Sequence, residues 1–360
     1  MFRGGATQIY IAENTRTHNV QARLLECSPL LDKIMTSSRS KFAAFEKKDI
    51  VYTTVAQHQI QASVLTPRRA ADDISPKRAP TTAPVLVYWH GGGFIVGDRL
   101  YEPWWPVWLL EFALAKGAMI IAPDYRLLPE ATGADIMDDM HAFWNWFLHS
   151  LPGIAASDCW DHWPDVHRVI SAGHSAGGSL ALHSAMQRPD VPVRAVLSLY
   201  GPLYYDVPEL RTARPRPILG VMPPPPRQAE GIIRTYVQRT KGTVRTAGDV
   251  LEMWGLVACI LQQGRLPRMM MARPDPRLDA LAVIERRKWC PPIWVVHGES
   301  DSVVPASCSI EFVRRVEQIV PGVQKRLSVL PGEHNFDASL AMEEPWITDG
   351  CTFLENHWNE

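Results

Sequence analysis

Val169-Ile170-Ser171-Ala172-Gly173-His174-Ser175-Ala176-Gly177-Gly178-Ser179-Leu180 carries the pattern from which the architecture of the chain can be inferred. Residues 168–172 are an apolar run that predicts a buried strand, and residues 179–187 predict a helix. Between them, Gly173-x-Ser175-x-Gly177 has the pattern of a sharp strand-to-helix turn that holds a serine hydroxyl in the open at its tip. The backbone at such a serine is strained. Side chains two residues to either side would crowd the neighbouring strand and helix, so glycines flank it. The turn also puts Ser175 at a helix N-terminus, where the dipole favours developing negative charge. Five small residues of this kind also arise by chance, so the flanking strand and helix carry the reading.

Upstream, residues 84–89 predict a buried strand that runs straight into His90-Gly91-Gly92-Gly93-Phe94. Three consecutive glycines after a core strand let backbone N–H groups point at one spot, which is what an oxyanion hole requires. The plainer reading is a glycine-rich turn without chemistry. Residues 118–122 predict another buried strand, followed by Asp124-Tyr125-Arg126-Leu127, and residues 101–116 and 134–147 predict helices. Residues 159–167 read as a polar and aromatic loop. Downstream, residues 193–200, 293–296 and 323–330 predict strands, with helices over 306–320 and 337–356. Strands alternating with helices this regularly predict an α/β architecture: a mostly parallel central sheet with helices on both faces.

Four segments follow from the pattern. Residues 1–48 read as an amphipathic helical cap, with Leu24, Leu25, Leu30, Leu31 and Ile34 at roughly helical spacing. Residues 49–201 form the first part of the core, opening with two strands, 49–56 and 59–65, joined at Gln57-His58; residues 66–83 read as a polar surface loop. Residues 202–288 interrupt the alternation with a proline-rich, helical stretch that includes Met269-Met270-Met271 and reads as an inserted cap or lid. Adaptable methionines suit a cover over an apolar substrate, and equally a plain insertion with its own core. Residues 289–360 complete the core.

Composition narrows the function. The chain has 360 residues, 46% of them hydrophobic, and a formal net charge of -1, so nothing argues for nucleic acid or an anionic membrane surface. The 6 cysteines form no C-x-x-C pair, which speaks against a metal site and a disulfide framework. No run has the length of a signal peptide or a membrane span. The expectation is a soluble, cytoplasmic protein, monomer or homodimer, with no cofactor and no metal.

Ser175, Asp301 and His334 fall at or just after the ends of three predicted strands, in the order Ser, Asp, His. In an open parallel sheet those ends share one edge, where ligands bind. A serine hydroxyl needs a base to take its proton as it attacks. Imidazole, with an ordinary pKa of about 6.5, can take and return that proton, and a carboxylate can hold its tautomer and stabilise its cation. Glu299 competes with Asp301 for that role, and His297 with His334, although His297 at the strand tip reads as structural. His174 also reads as structural, and His90 as a brace for the glycine loop. Phe94 and Trp104, with Trp105, Trp108 and the lid methionines, are candidates for an apolar substrate pocket and equally for core.

The set His90-Gly91-Gly92-Gly93, Asp124-Tyr125-Arg126-Leu127-x-Pro129-Glu130, Gly173-x-Ser175-Ala176-Gly177-Gly178, Asp301 and His334-x-Phe336 resembles the hormone-sensitive-lipase-like carboxylesterases of the α/β-hydrolase fold, over roughly residues 51–356. The resemblance implies an oxyanion hole made by the N–H groups of Gly92, Gly93 and Ala176, and a cap that combines the N-terminal segment with residues 202–288. Two departures stand out. His174 occupies a position that is usually acidic in that family, and residues 131–135 replace its usual proline- and aromatic-rich continuation. Three functions compete. The first is hydrolysis of an ester of a small, apolar or secondary-metabolite molecule. The second is acyl transfer, elimination or cyclisation at the same site in a biosynthetic pathway. The third is a non-catalytic small-molecule receptor, against which the intact His334 argues.

Overall fold

The computed structural model describes residues 40–68, 80–188, 190–214 and 216–359. Most of the predicted N-terminal helical segment lies outside the described residues. Among the described residues, eight strands form one sheet: β1 (Phe45–Val55), β2 (His58–Pro67), β3 (Thr81–Trp89), β4 (Met119–Pro123), β5 (His162–His174), β6 (Val193–Leu199), β7 (Ile293–Gly298) and β8 (Lys325–Leu330). Their order is β1-β2-β4-β3-β5-β6-β7-β8. The β1–β2 and β2–β4 pairs are antiparallel and every other pair is parallel. The parallel strands are buried on both faces, so Val85 to Trp89 and Met119 to Ala122 are fully covered and read as unbroken apolar runs.

Helices pack on both sides of this sheet. They are α1 (Val107–Ala115), α2 (Gly133–His149), α3 (Leu151–Ser157), α4 (Ala176–Gln187), α5 (Pro208–Arg211), α6 (Pro226–Arg239), α7 (Val250–Gln262), α8 (Leu266–Met270), α9 (Ala280–Arg287), α10 (Ser307–Ile319) and α11 (Pro345–Trp358). Helix α2 begins with a capping box: Thr132 Oγ1 accepts from the Asp135 N–H, and the Asp135 carboxylate accepts from the Thr132 N–H at 2.8 Å. The core divides into two layers. Trp89, Phe143 and Trp144 lie on one face of the sheet, and Trp105, Trp108 and Trp294 on the other.

Five sequence expectations need correction. Strand β1 starts at Phe45, so the first cap segment does not extend to residue 48 as helix. The loop expected over 159–167 is mostly strand: β5 begins at His162, because Thr81, Thr82 and Ala83 pair with His162, Trp163 and Pro164. This pairing also extends β3 into the expected surface loop. Residues 101–116 do not form one helix, since Pro106 separates a short turn of 3-10 helix, Glu102–Trp104, from α1. The last helix starts at Pro345 rather than 337, and the chain before it makes successive tight turns.

Several side chains tie the 202–288 segment to the core, among them Tyr236 to Glu130, Arg273 and Arg277 to Asp138, and above all Arg245. Arg245 Nε and Nη2 bind Glu130 at 2.9 and 3.0 Å, while Nη1 and Nη2 donate to the carbonyls of Ile95 and Leu128 at 2.7 and 2.8 Å. Gly97 and Gly248 exchange backbone hydrogen bonds beside it. The insertion is thus fastened directly to the loop that follows the triple glycine.

Candidate active site

The elbow forms at the β5–α4 junction. Ser175 adopts φ 53° and ψ -125°, a conformation that costs a non-glycine residue about 1–3 kcal/mol. Its N–H donates to the Leu199 carbonyl at 2.8 Å, which pins the turn to the end of β6. A Cβ on Gly173 would lie 2.2 Å from the Gly177 carbonyl oxygen, and one on Gly177 would lie 2.0 Å from that of Trp89. Both glycines are therefore required by close backbone approach, as their spacing predicts.

The glycine loop faces the elbow. Gly92 and Gly93 have φ 97° and 63°, and a Cβ on Gly92 would overlap the Val96 carbonyl at 1.9 Å. The loop is braced from below. His90 Nδ1 donates to the Gly91 carbonyl at 2.9 Å, as expected of a bracing histidine, and Tyr125 Oη donates to the His90 carbonyl at 2.7 Å. Among the described residues, no acceptor engages the N–H groups of Gly92, Gly93 or Ala176.

His174 makes a connection that spacing could not reveal. The Gly91 N–H donates to His174 Nε2 at 3.1 Å, so the proton of the neutral ring sits on Nδ1, which lies 2.8 Å from Tyr88 Oη. Burial holds this imidazole well below its ordinary pKa, with smaller contributions from His90 and His334. The residue before Ser175 thus clamps the first glycine of the opposite loop. His174→Ala leaves the Gly91 N–H and the Tyr88 hydroxyl unpaired, at about 1–3 kcal/mol per buried group. The expected result is a kcat lowered by about tenfold, with KM changed by about twofold or less, because loosened donors act on the transition state. Steady-state kinetics on p-nitrophenyl butyrate, with a melting curve to check folding, separates that from general destabilisation.

The other two candidates meet at the ends of β7 and β8. His334 Nδ1 lies 2.7 Å from Asp301 Oδ2, and Asp301 Oδ1 accepts from the N–H groups of Val303 and Val304, both at 2.8 Å. Burial opposes ionisation of Asp301, but the neighbouring His334 and the hydrogen bonds from His297 and His334 outweigh it and hold the carboxyl well below the usual carboxylate range. Glu333 joins the two loops by accepting from the Ser302 and His334 N–H groups at 2.6 and 2.7 Å. Glu299, the rival to Asp301, is exposed. His297 is structural, its ring held between Ser309 Oγ at 2.7 Å and the Val304 carbonyl at 2.8 Å.

Ser175 and His334 converge on the end of β6. The serine is anchored to Leu199, and the next residue, Tyr200, packs edge-on against His334 with ring centroids 4.7 Å apart. The Ser175 hydroxyl makes no hydrogen bond to a described residue, a looseness common in unliganded active sites. Both residues are largely buried, at 5% and 9% exposure. Behind them, Asp337 Oδ2 accepts from Trp108 Nε1 at 2.9 Å, and burial pushes this carboxyl up. Of the pocket candidates, Trp105 and Trp108 are core. Trp104 lies half-buried against the His174 ring, 5.9 Å between centroids, and Phe94 is buried behind the glycine loop.

The sheet order and this edge define an α/β hydrolase, and the chain belongs to the α/β-hydrolase fold family, whose model matches residues 86–336. It is 53% identical over 319 residues to "Probable carboxylesterase M8" of a Phoma species, covering 89% of this chain and 98% of that one. It is 54% identical over 190 residues to "Probable carboxylesterase clz11" of Cochliobolus lunatus, covering 53% of this chain and 87% of that one. Among solved structures, the esterase LipW from Mycobacterium marinum superposes with a TM-score of 0.52 at 22% identity, covering 97% of this chain and 87% of that one, which supports the fold alone.

Proposed function

We propose that the chain is a serine hydrolase that cleaves a carboxylic ester of a small, apolar molecule, through Ser175 as nucleophile, His334 as base and Asp301 as its partner. The observation that carries this reading is the 2.7 Å His334–Asp301 hydrogen bond at the strand edge that also holds the Ser175 elbow. The motifs and relatives support a place in the hormone-sensitive-lipase-like branch. They favour ester hydrolysis over the biosynthetic and receptor alternatives.

Ser175 Oγ attacks the ester carbonyl carbon while its proton passes to the free ring nitrogen, His334 Nε2. The oxyanion is held by the N–H groups of Gly92, Gly93 and Ala176; loss of one such donor costs about 10²–10³ in rate in a studied protease. His334 then protonates the departing alkoxide, leaving an acyl-enzyme. A water, deprotonated by the same imidazole, attacks the acyl carbon and releases the acid and the serine. Residues 202–288 serve as a cap over this edge, fastened to the oxyanion loop through Arg245.

A panel of short to long p-nitrophenyl esters tests the reading. Turnover of at least one ester is expected, and none at all would overturn it. The pH dependence follows from the site's charges. The ring must be neutral to accept the serine proton, and Asp301 stays ionised because it is held below the usual range. The acid limb of kcat/KM is therefore expected to follow one ionisation, with activity lost as pH falls. A limb steeper than one proton would contradict that assignment.

A further inference from the structure

Two adjoining cavities lie away from the reacting groups. The larger, about 470 Å³, is walled by α4, residues 202–206, α9 and α10. The smaller, about 70 Å³, extends it toward Phe94 and Met137 and shares Ser179, His183, Tyr205 and Leu278 with it. Neither is lined by Ser175, Asp301, His334, Gly92, Gly93 or Ala176. The larger volume falls in the range of sites for small organic ligands.

Two polar groups in this wall are unsatisfied. His183 is 5% exposed, and its Nδ1 has no hydrogen-bond partner among the described residues. The Tyr205 hydroxyl is likewise buried without a hydrogen bond of good geometry, and the neighbouring Ser179 hydroxyl is committed to the Pro202 carbonyl at 2.9 Å. Buried polar groups are rarely left unpaired, because a desolvated group without a partner is costly. Burial pushes His183 down to about 4, so the ring is neutral at neutral pH and suits a neutral partner. Leu182, Leu203, Leu278 and Ile319 give the wall an apolar side, and Asp206, Asp279, Glu285 and Gln318 give it a polar side. The arginines at its edge are already paired, Arg211 with Asp206 and Arg315 with Glu311. No free cation at the edge calls for an acid.

We propose that this cavity is a second small-molecule site, separate from the Ser175 centre, that takes a neutral, ring-bearing molecule whose hydroxyl pairs with His183 and Tyr205. The ring body would cover the leucine wall while the hydroxyl both donates and accepts at the two unpaired groups. The inference does not depend on the esterase reading, since binding is measured without turnover.

The probe is 2-naphthol, titrated calorimetrically into the full-length protein. One-to-one binding is expected, and it should persist after Ser175 has been blocked with a small phosphonate. His183→Leu should weaken it about 5- to 10-fold, the value of one hydrogen bond, and Tyr205→Phe by a similar factor. Leu182→Trp, which fills the cavity, should remove it, with circular dichroism confirming that each variant is folded. 2-Naphthoate, a charged analogue, should bind more weakly than 2-naphthol. Absence of binding at millimolar 2-naphthol would overturn the proposal. So would loss of binding on phosphonylation, or His183→Leu and Tyr205→Phe variants that bind as the parent does.

Discussion

Ser175→Ala is expected to lower kcat for a p-nitrophenyl ester by about 10⁵–10⁶-fold, leaving only what the oxyanion donors and substrate binding supply. The expectation rests on the strained elbow. Ser175 keeps φ 53° because its N–H is tied to Leu199 and because Gly173 and Gly177 let the neighbouring backbones approach. Alanine fits that backbone as well as serine does, so the loss should be chemical rather than structural. Melting behaviour should stay close to that of the parent protein. Retention of a substantial fraction of the activity would mean that another nucleophile does the chemistry.

Asp301→Asn is expected to lower kcat by about 10⁴-fold, the scale seen when the equivalent carboxylate of a serine-histidine-aspartate site becomes an amide. The carboxylate does two things here. Its Oδ2 accepts from His334 Nδ1; on the proposed mechanism this leaves Nε2 free as a base, and the charge stabilises the imidazolium formed as the serine attacks. Its other oxygen is fixed by the Val303 and Val304 N–H groups. An amide that keeps its oxygen toward those two donors points its NH₂ at His334. That favours the tautomer with its proton on Nε2, where it cannot act as a base. Glu299→Gln, at an exposed position, is the control and should change kcat little. Equal losses in the two variants would return the choice between them to open ground.

The strands that place the reacting groups are legible in the sequence because parallel strands buried on both faces show as apolar runs. Val85 to Trp89 and Ile293 to Val296 are both of this kind, and each runs into a loop that bears a candidate site residue. The glycines of the elbow are legible for a steric reason, since a side chain there would meet a carbonyl oxygen. The start of β5 is not legible. His162, Trp163 and Pro164 alternate in no strand-like way and are extended only because Thr81 to Ala83 lie beside them. Tertiary pairing overrides local pattern there. The role of His174 was hidden for a different reason. Its two partners, Tyr88 and Gly91, lie more than eighty positions away. The Arg245–Glu130 pair that fastens residues 202–288 to the core spans a similar distance and left no mark in spacing or composition.

On the proposed mechanism one serine, at the turn between β5 and α4, carries the chemistry. Reaction of the full-length protein with a fluorophosphonate, followed by proteolysis and mass spectrometry, tests it most directly. One adduct per chain is expected, located on Ser175 and forming in step with the loss of esterase activity. An adduct on a different serine, or full ester turnover by a protein completely modified at Ser175, would contradict it.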